Sequence, residues 1–190
     1  MPTPIDRRSF LKIGAITGLA SSAGVSVASS DTLQGSPLKV ESYRRLGRTG
    51  LEISDISFGS SRLRLGQEDL VHHAIERGVN YFDTAESYTS GDSEKVLGNA
   101  LKGKRDQVYL ATKTFVDANT SKQQIMADLD GSLRRLKTDH VEIYFNHAVN
   151  DVSRMQNPEW FEFVELAKRQ GKIRWTGISG HAGKLIDCVD

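Results

Sequence analysis

The sequence predicts an α/β fold, a (β/α)8 TIM barrel of which about five of the eight βα units are present. Three observations predict it. Strand-like and helix-like segments alternate about every 30 residues, which is the length of a βαβ unit. No Gly-x-Gly-x-x-Gly string follows the first strand, and this disfavours an open dinucleotide-binding sheet. Polar residues stand where successive strands end, and a barrel gathers its catalytic groups at that edge.

Composition excludes some classes of function. The chain has 190 residues, and its 25 lysines and arginines nearly balance its 24 aspartates and glutamates. Binding to nucleic acid needs a strongly basic surface, which this balance disfavours. Cys188 is the single cysteine, so neither an intramolecular disulfide nor a metal site of several thiolates can form. His140 and His181 have no cysteine or carboxylate at metal-ligand spacing, and no metal is expected.

The first 30 residues resemble a signal peptide. Arg7 and Arg8 precede the string SFLK, and a weakly apolar run follows over residues 13–27. That run is shorter than the roughly 18 to 20 apolar residues of a membrane-spanning helix, so no stable membrane anchor is expected after processing. Because its Gly and Ser content is poor for helix, an amphipathic helix is disfavoured. Residues 1–30 are therefore predicted to be a twin-arginine signal peptide, read by the twin-arginine export machinery and directing the folded protein to the periplasm.

A linker and a hairpin precede the barrel strands. Residues 31–42 contain the string DTLQGSP and are predicted to form a flexible linker. Residues 43–53 contain two short runs around Gly50, which indicates an antiparallel hairpin. The predicted barrel domain is residues 43–190.

Five barrel strands and the helices between them follow. The strands are predicted over residues 53–59, 79–82, 108–111, 141–145 and 173–178. The helices are predicted over residues 67–77, 92–103, 120–136 and 157–171, with another beginning at 184–189. Asp92 is expected to cap the second helix, Thr120 and Gln123 to form a capping box for the third, and Asn157-Pro158 to open the fourth.

Four polar residues at strand ends form a candidate catalytic set. Asp83 and Tyr88 follow the second strand, Lys113 the third and His147 the fourth. If these strands are neighbours in a barrel, the four side chains share one mouth. A lysine ammonium beside a phenol favours the phenolate, a carboxylate holds the lysine in place, and a histidine can orient a carbonyl oxygen. The set favours reduction of an aldehyde or ketone with a hydride from a nicotinamide cofactor.

The same residues resemble the aldo-keto reductase family. The strings that carry the resemblance are YRRLGRTGLEISDISFGS, NYFDTAESY and SEKVLGNAL, together with the ordered set of four. The resemblance implies a small-molecule carbonyl substrate, with Tyr88 as general acid and base, Lys113 and Asp83 as its tuning groups and His147 as the residue that orients the carbonyl. It also implies NADP(H) as cofactor. Its binding residues would be Asp83, Ser179, Gly59 and Ser60.

Two other interpretations stay open at this stage. The first is that the chain is the N-terminal part of a longer barrel, because the family's barrel has eight strands and the sequence predicts five. Alone, it is expected to be inactive, and insoluble or oligomeric. The second is a non-catalytic, nucleotide-binding subunit or sensor with a reductase-like fold. Nucleotide binding without turnover would favour that second interpretation.

Overall fold

A parallel sheet with helices on one face forms the centre of the fold. The computed structural model describes residues 39–181 and 186–188. In this part of the chain, a two-stranded antiparallel hairpin precedes five parallel strands that lie side by side in chain order. The hairpin strands are β1 (Tyr43–Arg45) and β2 (Glu52–Ser54), and the parallel strands are β3 (Phe58–Gly59), β4 (Tyr81–Asp83), β5 (Tyr109–Thr114), β6 (Val141–Asn146) and β7 (Ile173–Ile178). The helices are α1 (Glu68–Glu76), α2 (Asp92–Ala100), α3 (Lys122–Leu136) and α4 (Pro158–Arg169). The predicted α/β barrel architecture and its five parallel strands are confirmed.

The predicted terminal segments are described only in part. The signal peptide predicted over residues 1–30 and most of the linker lie outside the described residues, as do residues 184, 185 and 189 of the helix predicted over 184–189, whereas residues 186–188 form a turn. At the end of the predicted linker, the Val40 amide donates to the Arg77 carbonyl over 2.7 Å, and the Ser42 hydroxyl donates to the Asp55 carboxylate over 2.7 Å. Within the described ranges, no helix combines the length and apolar character needed to cross a membrane.

The segment predicted as one strand over residues 53–59 forms parts of two strands. The Ser54 amide donates to the Asn80 side chain over 2.7 Å, and the Ser54 hydroxyl donates to the Ile56 carbonyl over 2.6 Å. This second bond closes a bend between the hairpin and the sheet, so β2 ends at Ser54 and β3 begins at Phe58. The prediction of a continuous strand is wrong because these side-chain bonds locally replace a ladder.

The parallel register places the strand ends at one edge of the sheet. Gly59 lies opposite Asp83 and Lys113 lies opposite Phe145. Successive strand residues point to opposite faces, and the residues of the outer face pack against the helices. That core includes Phe82, Leu110, Tyr144, Leu97, Leu129 and Phe163. Lys113 shares the inner face with Ala111, which packs with Ile143 and with Leu51 of the hairpin segment. Lys113 therefore points into the barrel instead of toward the helices.

The helix starts agree with the sequence signals in one case and differ in two. Asn157 caps α4, accepting from the Glu159 amide over 3.0 Å with Pro158 as first helical residue, as predicted. The cap of α3 is Ser121 instead of Thr120, because the Thr120 hydroxyl accepts from the Asp117 amide and closes the preceding turn. At α2 the cap position is Gly91, with a positive φ of 87°, and Asp92 makes no capping bond.

Candidate active site

Lys113 lies at the centre of the predicted set of four. Its ammonium donates to Asp83 Oδ1 over 2.5 Å, to the Thr84 carbonyl over 2.7 Å and to the Tyr88 hydroxyl over 3.4 Å. These three acceptors use all three ammonium protons. The Lys113 side chain is 7% exposed and that of Asp83 is 29% exposed. The amine is therefore held in one geometry inside the barrel mouth, while one side of the Asp83 carboxylate stays open.

A strained turn directs Tyr88 toward Lys113. Tyr88 begins a 3₁₀ turn that ends at Gly91, and inside it Thr89 and Ser90 have positive φ angles of 49° and 58°. Non-glycine residues adopt this region rarely and at a cost. The Thr89 hydroxyl supports the turn by donating to the Leu63 carbonyl over 2.8 Å and accepting from the Ser93 amide over 3.0 Å. The bonds of Thr89 thus hold a turn that places the Tyr88 phenol beside the Lys113 ammonium.

His147 completes the set from the end of the next strand. It follows β6 directly, and its amide donates to the Thr114 carbonyl over 2.8 Å. Its ring meets the Tyr88 ring edge-on, with 5.7 Å between centroids, and stacks on Phe115 at 4.7 Å. His147 is 5% exposed, and its Nδ1 atom is buried without a hydrogen-bond partner. The structure therefore brings together all four residues of the predicted catalytic set.

The imidazole of His147 is uncharged at neutral pH. Burial is the main cause that lowers its pKa from 6.5 to about 4, and unfavourable electrostatic interactions with Lys113, His181 and Arg154 lower it further. A neutral imidazole carries one N–H donor and one acceptor nitrogen. His147 can therefore donate a hydrogen bond to a carbonyl oxygen without adding a positive charge beside Lys113.

The predicted cofactor-binding residues lie around this mouth. Gly59 is exposed at the end of β3, and the space that a Cβ atom would occupy there is open. The Ser60 hydroxyl is turned away into the protein, donating to the Asp83 carbonyl over 2.7 Å and accepting from Ser93 over 2.7 Å. The Ser179 hydroxyl accepts from the Ala148 amide over 3.1 Å. Gly59 is thus open to a ligand, whereas the hydroxyls of Ser60 and Ser179 bind neighbouring main-chain segments.

Sequence reasoning missed the residue that binds the His147 turn. Arg154 lies in a short 3₁₀ helix, Val152–Gln156, and its guanidinium donates to the main chain of both His147 and Ala148. The segment has no hydrophobic periodicity and matches none of the quoted family strings. A lone arginine in such a segment resembles a solvated surface residue, so no signal in the sequence identifies it.

Removing the imidazole of His147 is expected to flatten the dependence of stability on pH. In the unfolded chain this histidine binds a proton below a pH of about 6.5. In the folded protein it binds one only below a pH of about 4. The stabilising contribution is therefore complete above the unfolded pKa and is lost as the pH falls from about 6.5 to about 4. For this one group, the free energy of unfolding falls by at most about 1.4 kcal/mol for each pH unit of acidification.

Urea unfolding of the full-length protein across that pH range measures this slope. The expected result is a smaller loss of unfolding free energy on acidification for His147→Gln than for the wild type. His73→Gln, at an exposed position of α1, is the control. Equal slopes for the wild type and His147→Gln would show that His147 is not a neutral buried imidazole.

Comparison with known proteins identifies the family of this fold. The family profile described as "Aldo/keto reductase family" matches residues 56–189. A curated relative, the uncharacterized oxidoreductase YqkF of Bacillus subtilis, is 35% identical over 157 residues, which cover 75% of this chain and 50% of the relative. The chain thus spans about half the length of the curated relatives that it matches.

Solved structures of aldo-keto reductases are similar to this chain as well. The holo form of an aldo-keto reductase from Bacillus halodurans aligns with a TM-score of 0.67 and 32% identity, over 77% of this chain and 52% of that one. An aldo/keto reductase from Klebsiella pneumoniae, solved in complex with NADP and acetate, aligns with a TM-score of 0.62 and 29% identity, over 73% of this chain and 50% of that one. Together with the profile match over most of the sequence, these likenesses show that the chain belongs to the aldo/keto reductase family.

Proposed function

We propose that the protein is an NADP(H)-dependent oxidoreductase that reduces an aldehyde or ketone, with Tyr88 as the proton donor. The observation that carries the proposal is the position of the Lys113 ammonium, which bonds both Asp83 and the Tyr88 hydroxyl. Membership of the aldo/keto reductase family supports the reaction class.

Proton transfer is the part of the reaction that this chain's own residues supply. When Tyr88 gives its proton to a carbonyl oxygen, a phenolate forms 3.4 Å from the Lys113 ammonium. An ion pair at that distance in a largely buried site stabilises the developing charge, and it needs no rearrangement because Lys113 is already held. Asp83 and the Thr84 carbonyl keep the ammonium in place through the step.

His147 orients the substrate in this scheme. Its ring lies edge-on to Tyr88, so an N–H of the neutral imidazole and the phenol can approach the same oxygen atom. Two donors that converge on one oxygen fix the carbonyl plane and polarise the bond. Phe115, which is 48% exposed and stacks on His147, forms an apolar wall of the same mouth.

The open side of the mouth fits a nicotinamide nucleotide. Gly59 leaves space for close approach beside Asp83, whose carboxylate is partly exposed and can accept from a ribose hydroxyl. Related structures solved with NADP and with NADPH support this choice of cofactor. When bound, the cofactor would supply the hydride that the protein lacks. Asp83, Gly59, Ser60 and Ser179 are the residues proposed to border it.

Turnover of a carbonyl panel tests the proposal. The full-length gene product, incubated with NADPH and a panel of aldehydes and ketones, is expected to oxidise NADPH, measured by the loss of its near-ultraviolet absorbance. Binding of NADPH is measured separately by its fluorescence. Binding without turnover on any carbonyl would overturn the enzyme proposal and favour a nucleotide-binding subunit, and failure of both would overturn the cofactor as well.

We also propose that residues 1–30 direct export of the folded protein to the periplasm through the twin-arginine pathway. The pair Arg7-Arg8 before SFLK and the weakly apolar run after it support this. Cell fractionation tests it: the wild type is expected in the periplasm without its first 30 residues, and the Arg7→Lys/Arg8→Lys variant in the cytoplasm. The lysine substitutions keep the positive charge, so equal export of the wild type and the variant would indicate the general secretory route. An uncleaved wild type found in the cytoplasm would overturn the export proposal.

A further inference from the structure

Arg154 links the two loops that carry the ring stack at the barrel mouth. Its guanidinium donates to the Val116 carbonyl over 2.7 Å, in the loop after β5. It also donates to the His147 carbonyl over 2.9 Å and to the Ala148 carbonyl over 2.6 Å, in the loop after β6. A fourth bond, of 3.1 Å, reaches Asn146 Oδ1 at the end of β6. The side chain is 14% exposed, and the Asp117 carboxylate lies 3.5 Å from its Nε atom.

These bonds bear directly on the position of His147. Phe115 precedes Val116, so one guanidinium holds the main chain next to both rings of the Phe115–His147 stack. A guanidinium presents its donors in a rigid plane and carries a permanent charge, and its hydrogen bonds are stronger than those of neutral donors. The spacing between the two loops is therefore set by a rigid group instead of by apolar packing alone.

The turn that carries His147 needs this support. Ala148 has a positive φ of 52°, a conformation that alanine adopts only when its surroundings impose it. Its carbonyl accepts from Arg154, and its amide donates to the Ser179 hydroxyl over 3.1 Å. Without Arg154, the Ala148 amide keeps its side-chain partner but the Ala148 carbonyl loses its own, and the turn can relax toward an ordinary conformation.

We propose that Arg154 is a positioning residue for the reaction, acting through main-chain carbonyls to hold the His147 imidazole at the distance and angle at which it meets the carbonyl oxygen. The inference rests on the proposed function, because it takes His147 as the group that orients the substrate. Arg154 itself lies behind the turn and does not touch the Tyr88 hydroxyl or the Lys113 ammonium in the described structure.

A matched control lies at the opposite end of the same two strands. Arg105 donates to the Val108 carbonyl before β5 over 2.9 Å and to the His140 carbonyl before β6 over 3.0 Å. It also pairs with the buried Glu142 over 2.8 Å. Arg105 thus joins β5 and β6 much as Arg154 does, but far from His147. Loss of either arginine weakens the fold, whereas only loss of Arg154 is expected to displace the imidazole.

Steady-state kinetics of the full-length protein separate positioning from stability. Arg154→Met is expected to lower kcat/KM for the carbonyl substrate by up to roughly 100-fold, because a displacement of about 1 Å in a group that positions the substrate can cost that much. The dissociation constant for NADPH is measured alongside, because Ser179, which is proposed to border the cofactor, bonds to the same turn through the Ala148 amide. Arg154→Lys keeps the charge and three donors, and it is expected to recover part of the loss and to serve if the methionine variant does not fold. Arg105→Met should lower the melting temperature with kcat/KM unchanged.

Nitrogen NMR of the imidazoles gives a readout that does not depend on turnover. The chain has five histidines, and the signal of His147 is assigned by its absence in His147→Gln. That signal is expected to shift in the Arg154 variants and not in Arg105→Met. An unmoved signal with unchanged kcat/KM, or an equal loss of kcat/KM in Arg105→Met, would overturn the inference. If the wild type turns over no carbonyl, the proposed function fails, and the imidazole signal still decides whether Arg154 positions His147.

Discussion

Tyr88→Phe is expected to lower kcat for carbonyl reduction by roughly 100- to 10,000-fold, the usual contribution of a positioned general acid. The substitution removes the hydroxyl that lies 3.4 Å from the Lys113 ammonium and leaves the ring that packs edge-on against His147. The mouth should therefore keep its shape and lose its proton donor. Rates of NADPH oxidation by the full-length wild type and variant, at saturating substrate, measure the effect.

Two further measurements make this result specific. The dissociation constant for NADPH should be nearly the same in Tyr88→Phe and the wild type, because the phenol is proposed to act on the substrate. Tyr109→Phe makes the same chemical change at the start of β5, away from the mouth, and is expected to keep full activity. If Tyr88→Phe retained a rate within a few-fold of the wild type, Tyr88 would not be the proton donor and the proposed mechanism would fail.

Arg135→Met is expected to destabilise the protein by about 3 to 5 kcal/mol, the usual cost of leaving one buried charge without its partner. Glu94 is fully buried. One of its carboxylate oxygens accepts from Arg135 Nε over 2.6 Å and the other from the Thr112 hydroxyl over 2.6 Å. Methionine keeps most of the packing volume of arginine and removes the positive charge. Urea unfolding monitored by circular dichroism gives the change in the free energy of unfolding.

The partner substitution and an exposed ion pair provide the controls. Adding Glu94→Gln to Arg135→Met removes the unpaired charge, so the double variant is expected to regain a large part of the loss. Lys95→Met breaks the exposed pair with Asp92, which should be worth no more than about 1 kcal/mol. A loss for Arg135→Met as small as that for Lys95→Met would contradict the assignment of Glu94 as a buried charge that depends on Arg135.

This ion pair also bears on the site. The 3₁₀ turn that begins at Tyr88 ends at Gly91, and a Cβ atom on Gly91 would lie 3.0 Å from Cδ of Arg135. Arg135 therefore packs beneath that turn while it neutralises Glu94 on α2. A partial loss of activity in Arg135→Met, beyond the unfolded fraction, would follow from looser placement of the Tyr88 turn.

Local signals predicted most of the secondary structure correctly. The hairpin around Gly50, the four helices between strands and the opening of α4 at Asn157-Pro158 depend on periodicity, capping and turn residues within a few positions of each other. Two of the errors occurred where a side chain bonded to the nearby main chain in place of the expected strand ladder or helix cap. Ser54 bends the chain between the hairpin and β3, and Thr120 closes a turn instead of capping α3.

The sequence by itself determined the alternation of strands and helices and the order of Asp83, Tyr88, Lys113 and His147 along the chain. Parallel strands in a barrel share one edge, so that order was enough to predict that the four side chains would meet. Only the tertiary structure decided what supports them. Arg154 reaches the Val116 carbonyl across 38 positions and Arg135 reaches Glu94 across 41. Such bonds depend on where the whole chain places a carbonyl or a carboxylate, and no local pattern of residue types encodes that position.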